Sequence, residues 1–122
     1  MRIVRVYADA AGESHFEDVD VPMAAVDFAP PALPVQLSAM TPAGQYGVMG
    51  APAGWDGGWH PEPQRLLTVC LAGEVEVTVG DGETRRLRPG DVTLAEDTDG
   101  RGHLSRVVGD TDARLFVLLL PD

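Results

Sequence analysis

The stretch His60–Leu94, HPEPQRLLTVCLAGEVEVTVGDGETRRLRPGDVTL, decides the fold. Polar side chains stand at alternate positions where it begins: His60, Glu62 and Gln64. An apolar segment follows, Leu66 to Leu71, and Ala72-Gly73 breaks it. Glu74 to Val79 then alternates strictly between polar and apolar residues. Gly80-Asp81-Gly82 turns the chain into a short strand, Thr84 to Arg88, and Pro89-Gly90-Asp91 leads into another. Period-2 patterning punctuated by Gly, Asp and Pro marks consecutive antiparallel strands, so the stretch reads as a β-meander. Asp-Gly between alternating runs is a strong hairpin signal, because a primed turn needs residues that tolerate positive φ.

Strands extend outward on both sides. Arg2 to Tyr7 reads as a short strand ended by the turn around Gly12, and Glu13 to Val21 as an alternating strand stopped by Pro22. Residues 22–34 carry Pro30, Pro31 and Pro34, which no strand interior tolerates, and read as an extended arm packed by Phe28 and Leu33. Val35 to Met40 and Tyr46 to Ala51 read as strands paired around Thr41-Pro42-Ala43-Gly44. On the C-terminal side come a strand at Asp91 to Ala95, a polar loop from Glu96 to Gly102, and a strand at His103 to Val108. The apolar run Arg114 to Leu120 reads as a strand buried on both faces. No segment has a helical period. About ten short strands in a small domain imply a sandwich or barrel.

Composition narrows the function. A chain of 122 residues makes one domain with a core that needs no staples. The net charge of -10 repels phosphate backbones and anionic lipid, so neither nucleic acid nor membrane is an expected partner. All nine basic residues are arginines, which excludes Schiff-base chemistry and a P-loop. Cys70 is the single cysteine, which suits a reducing compartment. No apolar run has the length of a membrane span, and MRIVRVYADA lacks the apolar centre of a signal peptide. A cytoplasmic location is expected.

On a regular strand His60, Glu62, Gln64 and Leu66 would share one face. Pro61 and Pro63 bracket Glu62 and remove ladder donors, which fits an edge or a loop equally well. His15 reads as a structural or surface residue, Cys70 as a buried inert thiol, and Arg65 as an anion anchor near the site or a solvated side chain. In Glu96–His103, EDTDGRGH, Asp97, Thr98 and Asp99 read either as turn chemistry or as a lid placing carboxylates beside His103.

Spacing links these residues to a known pattern. Five residues separate Gly54 from His60, and Glu62 takes the second position of a His-x-His pair. Leu66 occupies the place of a ligand Glu, and Gly73 closes the motif. Pro89-Gly90-Asp91 opens a second motif, for which His103 is the available histidine. In these features the chain resembles the cupin family, and in particular a group of small bacterial cupin-domain proteins. The resemblance implies an all-β double-stranded β-helix, or jelly-roll barrel. One cupin domain would span residues 1–122, with N-terminal strands and a proline-rich arm in 1–53 and the core in 54–120.

The resemblance also implies a site. His60, Glu62 and His103 would hold a divalent transition metal (Fe, Mn, Ni or Zn), with Gln64 as a neighbour. Two imidazoles and one carboxylate leave coordination positions open for water or substrate. The expected function is binding of a small molecule in the His60/His103 pocket, through such a metal or without it, with Leu66, Trp55 and Trp59 as apolar walls. The alternatives are a metal-dependent dioxygenase or isomerase on a small organic substrate, and a metal-free epimerase-like enzyme pairing a histidine with Tyr7 or Tyr46. A homodimer formed through edge strands is the expected assembly.

Overall fold

Twelve β-strands and no helix build the chain in the computed structural model, which describes every residue from Met1 to Asp122. They are β1 Arg2–Ala8, β2 Ser14–Asp20, β3 Met23–Val26, β4 Val35–Ser38, β5 Tyr46–Ala51 and β6 Asp56–His60. The second half holds β7 Leu66–Ala72, β8 Val75–Thr78, β9 Thr84–Leu87, β10 Val92–Glu96, β11 His103–Val107 and β12 Ala113–Leu119. Six strands form one sheet in the order β2-β1-β10-β7-β12-β5, and four form a second in the order β6-β11-β8-β9. The pair β3-β4 stands apart as a two-stranded sheet. Within the large sheet β1 runs parallel to β10, and the other pairings are antiparallel.

The alternating residues do what period 2 requires. Val75 and Val77 of β8 turn inward with Leu87 and Val107 to form one apolar cluster, which Ala113 joins from the large sheet. Leu66, Ala95 and Val117 form a second cluster on the large sheet. Both clusters lie between the two sheets, so apolar burial fixes the inward parity of each strand.

The β-meander is corrected. Only β8 and β9 form the expected hairpin, Val75↔Leu87 to Thr78↔Thr84. Strand β7 pairs with β10 and β12, so the chain leaves one sheet for the other between Ala72 and Val75. Gly73 makes that corner with φ of 74°, where a Cβ would come within 2.6 Å of the Asp112 carbonyl oxygen. Alternation reports which face of a strand is buried and says nothing about its neighbour.

The N-terminal half is corrected too. Met23–Val26 is a strand, and it pairs with Val35–Ser38, so β4 does not pair with β5. The prolines at 30, 31 and 34 lie in the loop between β3 and β4, where no ladder donor is needed. Strand β5 pairs with β12 instead, from Ala51↔Ala113 to Tyr46↔Leu118. Phe28 and Leu33, expected to pack the arm, are exposed. Strand β12 is buried only at Ala113 and Val117, because no further layer covers the outer face of its sheet.

Candidate metal centre and cavity

A cavity of about 480 Å³ lies between the sheets with a mostly apolar lining. Val6, Thr68, Thr93 and Val117 line it from the large sheet, and Val77 and Ser105 from the small one. One end holds its only ionisable lining residues, His60, Glu62 and His103.

Each of the three is positioned by the backbone. His60 ends β6 because Pro61 cannot donate to the ladder. His103 opens β11 directly opposite His60, and the two rings lie 4.8 Å apart at 59°. Gly102 makes this approach possible: its φ is 75°, and a Cβ there would collide with the His60 carbonyl. The Gly102 carbonyl accepts the hydroxyl of buried Ser14 at 2.7 Å, which ties the turn to β2. Glu62 is not on a strand with Leu66. It lies in the connection between β6 and β7, held by its N–H donating to the Asp97 carbonyl at 3.1 Å.

One ligand atom from each of His60, Glu62 and His103 falls within 4.8 Å of the others. The Nδ1 of His60 faces the Gly58 carbonyl at 2.9 Å. A carbonyl only accepts, so Nδ1 donates to it and Nε2 is the nitrogen left to act as a ligand. The Nδ1 of His103 faces Asp97 Oδ2 at 2.6 Å, leaving its Nε2 directed to Glu62 Oε1 at 3.5 Å. Both imidazoles thus spend one nitrogen on a fixed acceptor and keep the other for the cavity, the arrangement seen around metal-binding histidines.

The electrostatics are short of positive charge. Glu62 and Asp97 are both shielded, and His103 is the ion-pair partner of each. Burial raises the Glu62 carboxyl above its ordinary value, with Asp97 adding to the rise and the two histidines opposing it. For His103 burial disfavours the imidazolium, yet the Asp97 hydrogen bond and the charges of Asp97 and Glu62 outweigh it and raise the group. Asp97 Oδ1 is buried with no hydrogen-bond partner. A divalent cation would supply the missing charge, and the donor set fits one.

Other sequence candidates lie elsewhere. Gln64 reaches the Leu120 carbonyl at 3.4 Å, away from the three ligand atoms. Arg65 is spent on Glu96 at 2.7 Å. Leu66 is buried in the cavity wall and Trp55 lines the rim, whereas Trp59 points away and carries Arg101 on its ring face at 3.7 Å. Neither tyrosine lines the cavity: Tyr7 packs against His15, and exposed Tyr46 against Phe116. A His/Tyr acid–base pair therefore has no tyrosine within reach. His15 is bridged by Asp9 and Asp81 at 2.7 and 2.9 Å, and Cys70 is a buried free thiol.

Asp97 is the residue that sequence reasoning left between turn and lid. Parity carries the signal. Thr93 and Ala95 face the cavity, so Asp97, two residues on, continues the inward row past the end of β10.

A family model described as "Cupin domain" matches residues 47–119. Among solved structures, the chain is similar to the cupin domain of Cnp3 from Schizosaccharomyces pombe. The identity is 20% and the TM-score 0.53, over 89% of this chain and 73% of that one. A cupin superfamily protein from Desulfitobacterium hafniense matches at 19% identity and a TM-score of 0.48, over 70% and 73%. No curated protein sequence matches the chain. No helix is long and apolar enough to cross a membrane.

Proposed function

The chain belongs to the cupin-domain family, and from that premise we propose that it binds a small organic molecule through a divalent transition metal held by His60, Glu62 and His103. The two facing sheets are then the halves of a double-stranded β-helix forming a single domain. The observation that carries this reading is the pair of imidazoles with Nδ1 committed to Gly58 and Asp97 and Nε2 left for the cavity. Iron, manganese, nickel and zinc all suit two nitrogens and one carboxylate oxygen.

When bound, such an ion supplies a Lewis acid with open positions toward the cavity. The protein's residues do the rest. Asp97 and the Gly58 carbonyl hold the two imidazole rings in orientation, Glu62 contributes the anionic ligand, and Leu66 keeps the adjoining wall apolar. With leucine at the fourth ligand place, three protein ligands leave more of the coordination sphere to the small molecule. An oxygenase or isomerase would use the same open positions. Titrating the metal-stripped protein with each of the four ions by calorimetry tests the reading, and one tight site that needs both His60 and His103 supports it.

We also infer that the protein pairs with a second copy of itself. From Val21 to Trp55 the only charged residue is Asp27, in a chain that is 23% charged. That stretch holds the detached hairpin β3-β4 and the edge strand β5, with Met23, Phe28, Leu33, Met40, Tyr46 and Val48 all exposed. Two copies carrying -10 each repel one another elsewhere and meet at lowest cost along this uncharged band. A lone cysteine suits the cytoplasm, where we place the pair.

A further inference from the structure

Thr93 has a side-chain oxygen that is buried and has no hydrogen-bond partner. The residue is only 6% exposed and lines the cavity from β10. A buried hydroxyl without a partner costs stability, so its presence in the cavity wall calls for something to meet it. Thr68 stands directly opposite on β7 and lines the same wall. Cross-strand neighbours of this kind hold their Cβ atoms about 5 Å apart, so the two side chains make one polar spot.

The spot lies far from the histidines. Thr93 precedes Asp97 by four residues on β10 and its extension, a separation of about 13 Å at strand rise. Asp97 in turn touches His103. Between the ends the walls are mostly apolar, with Ala95, Leu66, Val117 and Val77, and Ser105 adds one hydroxyl from β11. The cavity therefore has two polar poles and a mainly hydrocarbon waist.

We propose that Thr93 and Thr68 form a second anchoring pole, and that the ligand is an elongated molecule with an oxygen-chelating head, an apolar middle and a hydroxyl or carbonyl at its far end. The head pole rests on the metal reading given above; the threonine pole rests on its own geometry. A cavity of about 480 Å³ lies in the range that small organic ligands fill.

The two poles can be tested apart. Octanoate and 8-hydroxyoctanoate share a carboxylate head and differ only at the far end. Binding of each to the zinc-loaded protein is measured by calorimetry, for wild type, Thr93→Val and His103→Ala. The expected result is a three- to tenfold preference of wild type for the hydroxylated probe, about the worth of one hydrogen bond. Thr93→Val should lose that preference while binding octanoate unchanged. Without ligand, Thr93→Val should melt no lower than wild type, since the hydroxyl has no partner to lose. Equal binding of both probes by wild type, or a melting point several degrees lower in Thr93→Val, overturns the threonine pole, and no binding of either probe overturns the two-pole ligand as a whole. If the preference survives but octanoate binds His103→Ala as well as wild type, the head pole fails and the threonine pole stands.

Discussion

Asp97 Oδ2 lies 2.6 Å from His103 Nδ1, and Asp97 is wholly shielded from solvent. A carboxylate so placed fixes the tautomer and the plane of the ring, so that Nε2 faces the cavity. It joins the polar loop after β10 to the first residue of β11, and the site depends on that link.

Asp97→Asn keeps the shape and removes the charge. Metal affinity should fall 10- to 100-fold, the usual effect of losing such an outer partner. Competition titration with a chromogenic chelator would read it. An affinity unchanged within twofold would mean that Asp97 does not orient the ring.

Gly102 and Gly82 separate backbone strain from steric clash. Both have positive φ, but an added Cβ meets nothing at Gly82 and the His60 carbonyl at Gly102. Gly82→Ala should cost about 1–2 kcal/mol from backbone strain alone. Gly102→Ala should cost more, and only it should weaken cation binding, because it pushes His103 away from His60. Urea unfolding and metal titration of both variants check this. Equal costs with intact binding would contradict it.

The His15 cluster sets a pH dependence remote from the cavity. Hydrogen bonds to Asp9 and then Asp81 raise the His15 imidazole, with burial opposing, and Glu13 lies within 3.8 Å. A group raised in the folded state contributes fully below its unfolded value, about 6.5, and loses that contribution as pH rises through the folded value. Asp9 is lowered by its hydrogen bond to His15, and Asp81 by its bond to the Glu83 N–H and then by His15. Their contribution is present above the unfolded carboxylate value and is lost as pH falls through the folded one. The melting temperature of wild type minus that of His15→Gln should therefore peak between about pH 4 and 6.5 and shrink above neutrality. A flat difference across pH 4 to 9 would contradict the charged bridge.

Much of this was legible in the sequence, and the limits have physical causes. Strand positions after Gly54 follow from period 2, since one face of each strand must be buried. Partners do not follow, because a corner such as Gly73 moves the next strand to another sheet without disturbing alternation. His60, Glu62 and His103 could be named from the resemblance to the cupin motifs, although Glu62 proved to lie off the strand. Asp97 stayed ambiguous because an aspartate before glycines also makes turns. Thr93 gave no signal: a threonine on a strand is ordinary until a cavity is seen beside it.

The uncharged band predicts the assembly. Sedimentation of wild type should give twice the chain mass of 13.0 kDa. Val48→Arg and Leu33→Arg, both at exposed positions, should sediment as monomers with unchanged circular dichroism. A monomeric wild type would contradict the pairing.

Elemental analysis of the purified, untagged protein, beside His60→Ala and His103→Ala, tests the metal centre most directly. The expected result is close to one equivalent of a divalent transition metal in wild type and almost none in either variant, with all three folded. Wild type that holds no metal, even after incubation with iron, manganese, nickel or zinc and removal of excess, would contradict the metal centre.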